Sequence, residues 1–121
     1  MKTITHRYVR MEDMNHHGSL YANTLASWML DAAFFGVVEV LGRQDHVVMA
    51  GVQELRFLRP VELGAVLELR YALVKAGTSS LTIKVEASDK LDPEKGYGTC
   101  LVTFVNTDDE GKSAPHGILL G

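Results

Sequence analysis

Asp31 is the residue of this chain whose surroundings most need a chemical reason. It is the only charged residue between Gly18 and Val38, flanked by Trp28, Met29, Leu30, Ala32, Ala33 and Phe34. A carboxylate among apolar neighbours must be paired, hydrogen-bonded or raised in pKa, and carboxylates perturbed in this way are active-site candidates. If Asp31 only marked a solvated stripe, further charges would be expected at 27, 34, 35 and 38, where the chain has Ser27, Phe34, Phe35 and Val38. A second feature lies just upstream: Glu12-Asp13-Met14-Asn15-His16-His17-Gly18 is dense in hydrogen-bonding groups and leads into a long apolar run. Backbone N–H groups at a helix start point unbonded donors and a positive dipole end at whatever docks there, a suitable place for a developing oxyanion.

Other chemistry-bearing residues point elsewhere or nowhere. Of His6, His16, His17, His46 and His116 only two are neighbours, and adjacent residues do not easily bind one ion from an extended strand, so no metal is expected. The single cysteine, Cys100, excludes an internal disulfide and reads as a buried apolar residue within CLVTF. No Gly-x-Ser-x-Gly elbow, Walker loop or Rossmann glycine pattern is present. Gly77-Thr78-Ser79-Ser80 offers N–H and hydroxyl groups to a phosphate, with Arg56 or Arg59 as companions, although such a turn alone is ordinary hairpin chemistry.

The elements that must position these groups follow from the hydrophobic period. Residues 20–41 are rich in Ala, Leu and Met, too long for a strand and stopped by Gly42, which predicts a helix with Ser19 or Asn23 as its cap. That helix is apolar nearly all round, so other elements should wrap it. It has the length of a membrane span, but Asp31 at its middle would cost roughly 2.5–3.5 kcal/mol there, so no membrane is expected. From residue 43 the period becomes two. Leu67, Leu69, Tyr71 and Leu73 alternate with Glu68 and Arg70, and Leu81, Ile83, Val85 and Ala87 alternate with Thr82, Lys84 and Glu86. A tight turn at 75–78 joins these two strands, with others expected at 2–9, 46–58 and 97–106. The predicted architecture is α+β, about five antiparallel strands curled around one helix in a single domain 1–121, with 108–121 as a loose tail.

At 121 residues and 46% hydrophobic content the chain has material for one core, and a deep site would need a wall from another subunit. A net charge of −3 with scattered Lys and Arg gives no basic stripe, which argues against nucleic acid. Residues 1–10 are polar and lack the apolar core of a secretory signal, so a soluble cytoplasmic protein is expected.

Taken in order, Asn15, Gly18, Asp31, then Phe57-Leu58-Arg59-Pro60-Val61-Glu62-Leu63-Gly64, then Gly77-Thr78-Ser79 resemble the pattern of the hotdog-fold acyl-CoA thioesterases over about residues 5–106. Asn15 and Asp31 are similar to the pair that the broad-range acyl-CoA hydrolases use across a dimer interface. Tyr21-Ala22-Asn23 and Leu41-Gly42 look like the 4-hydroxybenzoyl-CoA thioesterase branch, which carries Asp where this chain has Asn15. The resemblance implies hydrolysis of an acyl-CoA to a carboxylic acid and free CoA with no cofactor. Asp31 would be general base or nucleophile, and Asn15 would orient water or the thioester. N–H groups near Gly18 and the first helical turn would hold the oxyanion. His17, Tyr21, Arg59, Gly77, Thr78, Ser79 and Ser80 would contact substrate or CoA. It implies a homodimer at least, built further into a tetramer or hexamer. A hotdog hydratase or dehydratase and a non-catalytic acyl-thioester binder are the alternatives.

Overall fold

The structure is a computed structural model and describes residues 1–120. Five strands form one antiparallel sheet in the order β1-β3-β4-β5-β2: β1 Lys2–Tyr8, β2 Val47–Phe57, β3 Val66–Ala76, β4 Ser80–Asp89 and β5 Gly96–Asn106. One helix, α1, spans Ala22–Leu41. Elements fall where the period placed them, within two residues at each boundary, because alternation and a sustained apolar helix pattern are strong local signals.

The alternating strand positions make the core. Leu67, Leu69, Ile83, Val85, Val102 and Phe104 are buried against Leu25, Met29, Ala33 and Val37 of α1. The helix approaches β3 closely at Gly36, where a β-carbon would lie 2.7 Å from the Tyr71 ring. Cys100 is part of this core, and burial pushes its thiol pKa up to about 11.

Gly42 ends the helix as expected, with a left-handed φ of 75° and its N–H on the Val38 carbonyl at 2.7 Å. The expected cap at the other end is not used. The N-cap is Tyr21 and neither Ser19 nor Asn23 bonds the first turn. Entry into the helix is fixed by backbone bonds instead, from Leu20 N–H to the Val61 carbonyl at 2.9 Å and from Tyr21 N–H to the Asp13 carbonyl at 3.3 Å.

Two differences concern what covers what. First, α1 is wrapped on one side only. Asn23, Ser27, Asp31, Phe35 and Glu39, four residues apart, form an exposed outer stripe. The helix lies across β3 and β4 and touches β2 least. Val48, Met49, Val52, Leu55 and Phe57 of β2 therefore remain exposed on a free edge that is interrupted by two bulges. Second, residues 108–120 are not a loose tail. The Asp108 carboxylate accepts the N–H groups of Glu110 and Lys112, each at 2.9 Å, and the Asn106 amide donates to the carbonyls of Ala114 (2.8 Å) and Pro115 (3.2 Å). His116 then bonds the hairpin turn through its backbone N–H to the Thr78 carbonyl and its Nε2 to the Ser80 carbonyl, which lets Ile118 pack on the core.

Candidate active site

A cleft of about 410 Å³ opens where three segments meet: the loop before α1, the first turn of α1, and the 57–61 connection leaving β2. Asn15, Ser19 and Ala22 supply its polar side, Leu25 and Val61 its floor, and Phe57, Leu58 and Arg59 its outer wall.

The loop geometry decides what Asn15 can do. Its Oδ1 accepts the backbone N–H of His17 at 2.9 Å and of Ser19 at 3.2 Å, with the Ser19 hydroxyl at 3.4 Å. Two N–H donors on one atom fix the orientation of the carboxamide, and the Nδ2 group has no partner among the described residues. Asn15 thus presents donors only, suited to a carbonyl or water oxygen and unsuited to accepting a proton. Gly18 takes a left-handed φ of 78° that closes this loop, and its own N–H is bonded to the Asn15 carbonyl at 3.1 Å. Of the N–H groups expected near Gly18 and the first helical turn, that of Gly18 itself is already bonded, and Gly18 shapes the turn. The unused donors lie four and five residues later. The N–H groups of Ala22 and Asn23, at the first turn of α1, make no hydrogen bond among the described residues, and Ala22 lines the cleft. The sequence signal for them was the helix start itself.

Asp31 stands elsewhere on the chain. Its side chain is 50% exposed on the outer stripe, with Oδ2 3.5 Å from Nη2 of Arg7. Arg7 belongs to β1 and lies over the Trp28 ring, 5.9 Å from its centroid. The carboxylate is not buried among apolar neighbours as the flanking sequence suggested, because a helix turns each residue by about 100°, which points Ala32 and Ala33 into the core and Asp31 outward, with Trp28 beside it under Arg7. Asn15 and Asp31 do not line a common cleft within one chain.

The remaining candidates divide. Arg59 is at the cleft. Tyr21 is exposed beside it at the N-cap, and His17 contributes a backbone N–H to the loop while its ring stacks 3.9 Å from that of His16. Gly77, Thr78, Ser79 and Ser80 are at the far end of the sheet. Ser80 pairs with Val105 on β5, whereas the cleft adjoins Gly98, some seven residues away, or about 23 Å at the usual strand rise. The Thr78 and Ser80 carbonyls are occupied by His116 and that of Ser79 by the Asn106 N–H. The sequence reading passed over one further carboxylate. Glu54 sits in a bulge of β2 with a φ of 50°, a conformation that costs a non-glycine residue energy, and pairs with Arg56 at 3.2 Å.

Comparison with known proteins gives the family and the fold. A family model described as the thioesterase superfamily matches residues 17–94. Over 110 residues, 85% of this chain and 80% of the relative, the sequence is 31% identical to the acyl-CoA thioester hydrolase YciA of Salmonella typhimurium. The hexameric thioesterase y2039 from Yersinia pestis superposes with a TM-score of 0.84 at 25% identity, covering 99% of this chain and 97% of that one. An acyl-CoA hydrolase from Staphylococcus aureus, solved with butyryl coenzyme A, coenzyme A and coenzyme A disulfide, gives 0.81 at 30% identity over 92% of this chain and 66% of that one. With its helix-cradling sheet and with a donor-lined cleft at the helix start, the chain belongs to the thioesterase superfamily.

Proposed function

We propose that the protein is an acyl-CoA thioester hydrolase that works as a homo-oligomer. The observation that carries this is the cleft: Asn15, with its unbonded Nδ2 donor, and Ala22, with its unbonded N–H, line it beside the apolar end of β2, and the unbonded N–H of Asn23 belongs to the same helical turn. Water attacks the thioester carbonyl carbon while a base takes its proton. The oxyanion of the tetrahedral intermediate accepts the N–H donors, and collapse breaks the C–S bond, returning the proton to the departing CoA thiolate. CoA enters as part of the substrate, with Arg59 at its phosphates, and no other cofactor takes part.

The base must come from outside the cleft of a single chain. We assign it to Asp31 of a second copy, docked along the exposed edge of β2, with the Arg7 pair opening as substrate binds. Two copies joined this way are the minimal unit, and a tetramer or hexamer of such units is the expected assembly, soluble and in the cytoplasm. Glu54 is the alternative carboxylate, favoured by its left-handed backbone in the bulge of β2, three residues before Phe57 of the cleft.

Thiol release from a panel of short, long and aromatic acyl-CoAs tests the assignment. Asp31→Asn is expected to lose about a hundredfold or more in turnover, within the range for a general base. A shared site also predicts rescue. Mixing inactive Asp31→Asn and Asn15→Ala chains leaves one intact site in each mixed dimer, so about a quarter of wild-type activity returns on random exchange. Near-normal turnover in Asp31→Asn with a hundredfold loss in Glu54→Gln would move the base to Glu54. If wild type releases thiol from no thioester, hydrolysis is wrong, and enoyl-thioester hydration and acyl binding become the readings to test.

A further inference from the structure

The cleft has a floor that this chain supplies alone. Its volume of about 410 Å³ is at the lower end of the range for small-molecule sites, and that space must take both the reacting thioester and the acyl chain that follows it. On α1 the lining consists of Ala22 and Leu25. Ala22 carries one of the unbonded N–H groups, and Leu25 stands three residues further along the helix, a rise of about 4.5 Å. Leu25 and its neighbour in the floor, Val61, are both buried in the core cluster. Met29, the next residue on the same helix face, is fully buried and takes no part in the lining, so the open space ends at the level of Leu25. The outer wall differs in kind. Phe57 and Leu58 are exposed at the end of β2, where a second copy can cover the cleft without deepening its floor.

We propose that Leu25 confines the enzyme to short acyl chains, with the thioester carbonyl held at the first helical turn and the end of the chain meeting the Leu25 side chain. This rests on the thioesterase reading of the same cleft. One methylene that fits or fails to fit an apolar pocket changes specificity by about 10–200-fold, so truncating the floor should be visible in a length series. Leu25→Ala removes Cγ and both Cδ atoms, and because a core relaxes only partly around such a deletion, the space left behind adds to the cleft. Leu25→Val makes a smaller deletion and spares more of the core should the alanine variant fail to fold. Leu25→Ile keeps the side-chain volume as a control.

The experiment is kcat/KM for acetyl-, butyryl-, octanoyl-, lauroyl- and palmitoyl-CoA, measured on oligomeric wild type and the three variants, each checked by circular dichroism. Wild type is expected to favour acetyl- or butyryl-CoA and to fall off by octanoyl-CoA. In Leu25→Ala, and to a lesser degree in Leu25→Val, the ratio of octanoyl to acetyl turnover should rise, by about tenfold or more in the alanine variant, while Leu25→Ile keeps the wild-type order. Two results would overturn the assignment: a wild type that prefers lauroyl- or palmitoyl-CoA, or folded variants whose kcat/KM falls equally for every length, which would leave Leu25 a core residue only. Should both truncations fail to fold, the wild-type order still decides between short and long chains. Absence of thiol release by wild type from all five substrates would instead strike the thioesterase reading, so the two failures are distinguishable.

Discussion

The two edges of the sheet are built to opposite ends. β1 is seven residues long and its side chains are tied to the rest of the molecule: Lys2 to Glu39, Thr3 to Glu68, and Arg7 to Asp31 and Trp28. Short, polar and engaged, it is an edge that discourages further pairing. β2 is eleven residues long, presents Val48, Met49, Val52, Leu55 and Phe57 to solvent, and is barely covered by its own helix. The cleft adjoins the β2 edge. A strand this apolar at a sheet edge invites a partner, and in the proposed homo-oligomer the cleft end of the fold is where a second copy would dock.

The comparison breaks most visibly on β2. Replacing Val52 and Leu55 together by Lys puts two charges on the unfinished edge. The expected outcome is single chains by light scattering and a loss of about a hundredfold or more in turnover, since a misplaced wall or base costs that much in positioning alone. An oligomer that survives would mean the copies meet elsewhere. A smaller effect is expected on β1. The Thr3 hydroxyl, as the largest contributor, holds the Glu68 carboxyl below its ordinary pKa against the opposing effect of burial. A depressed folded-state pKa stabilises above the ordinary carboxylate range, and that contribution is lost as pH falls through the lowered value. Thr3→Ala should therefore remove under about 1 kcal/mol at neutral pH and nothing once Glu68 is protonated, as read from denaturant midpoints along a pH series. The smallest effect sharpens the contrast: Tyr8→Lys, at a position 60% exposed on β1, should leave both oligomer and turnover within about twofold of wild type.

Most of the architecture was legible because it is written in periods. Leu67-Leu69-Tyr71 and Leu81-Ile83-Val85-Ala87 announce their strands, and Gly42 announces the helix end. The outer stripe of α1 was less legible because Phe35 interrupts it. Without that residue, Asn23, Ser27, Asp31 and Glu39 read as a solvated face, which is where Asp31 lies. The order of residues 108–120 was hidden for a different reason, since it depends on Asn106 and His116 finding carbonyls that local pattern does not reveal. The cleft was half legible: Asn15 stood out by type, while the Ala22 and Asn23 N–H groups carry no side-chain signature at all.

The burial of Cys100 bears on life in the presence of product. Each turnover of a CoA thioesterase liberates a thiol, and coenzyme A that oxidises becomes a disulfide able to cap exposed cysteines. The only sulfhydryl in this chain is buried under the helix and protonated at every physiological pH. It cannot exchange with what the enzyme releases, so accumulating product leaves the folded protein chemically unmarked, and a thiol-reactive dye added to the native enzyme reports substrate turnover alone.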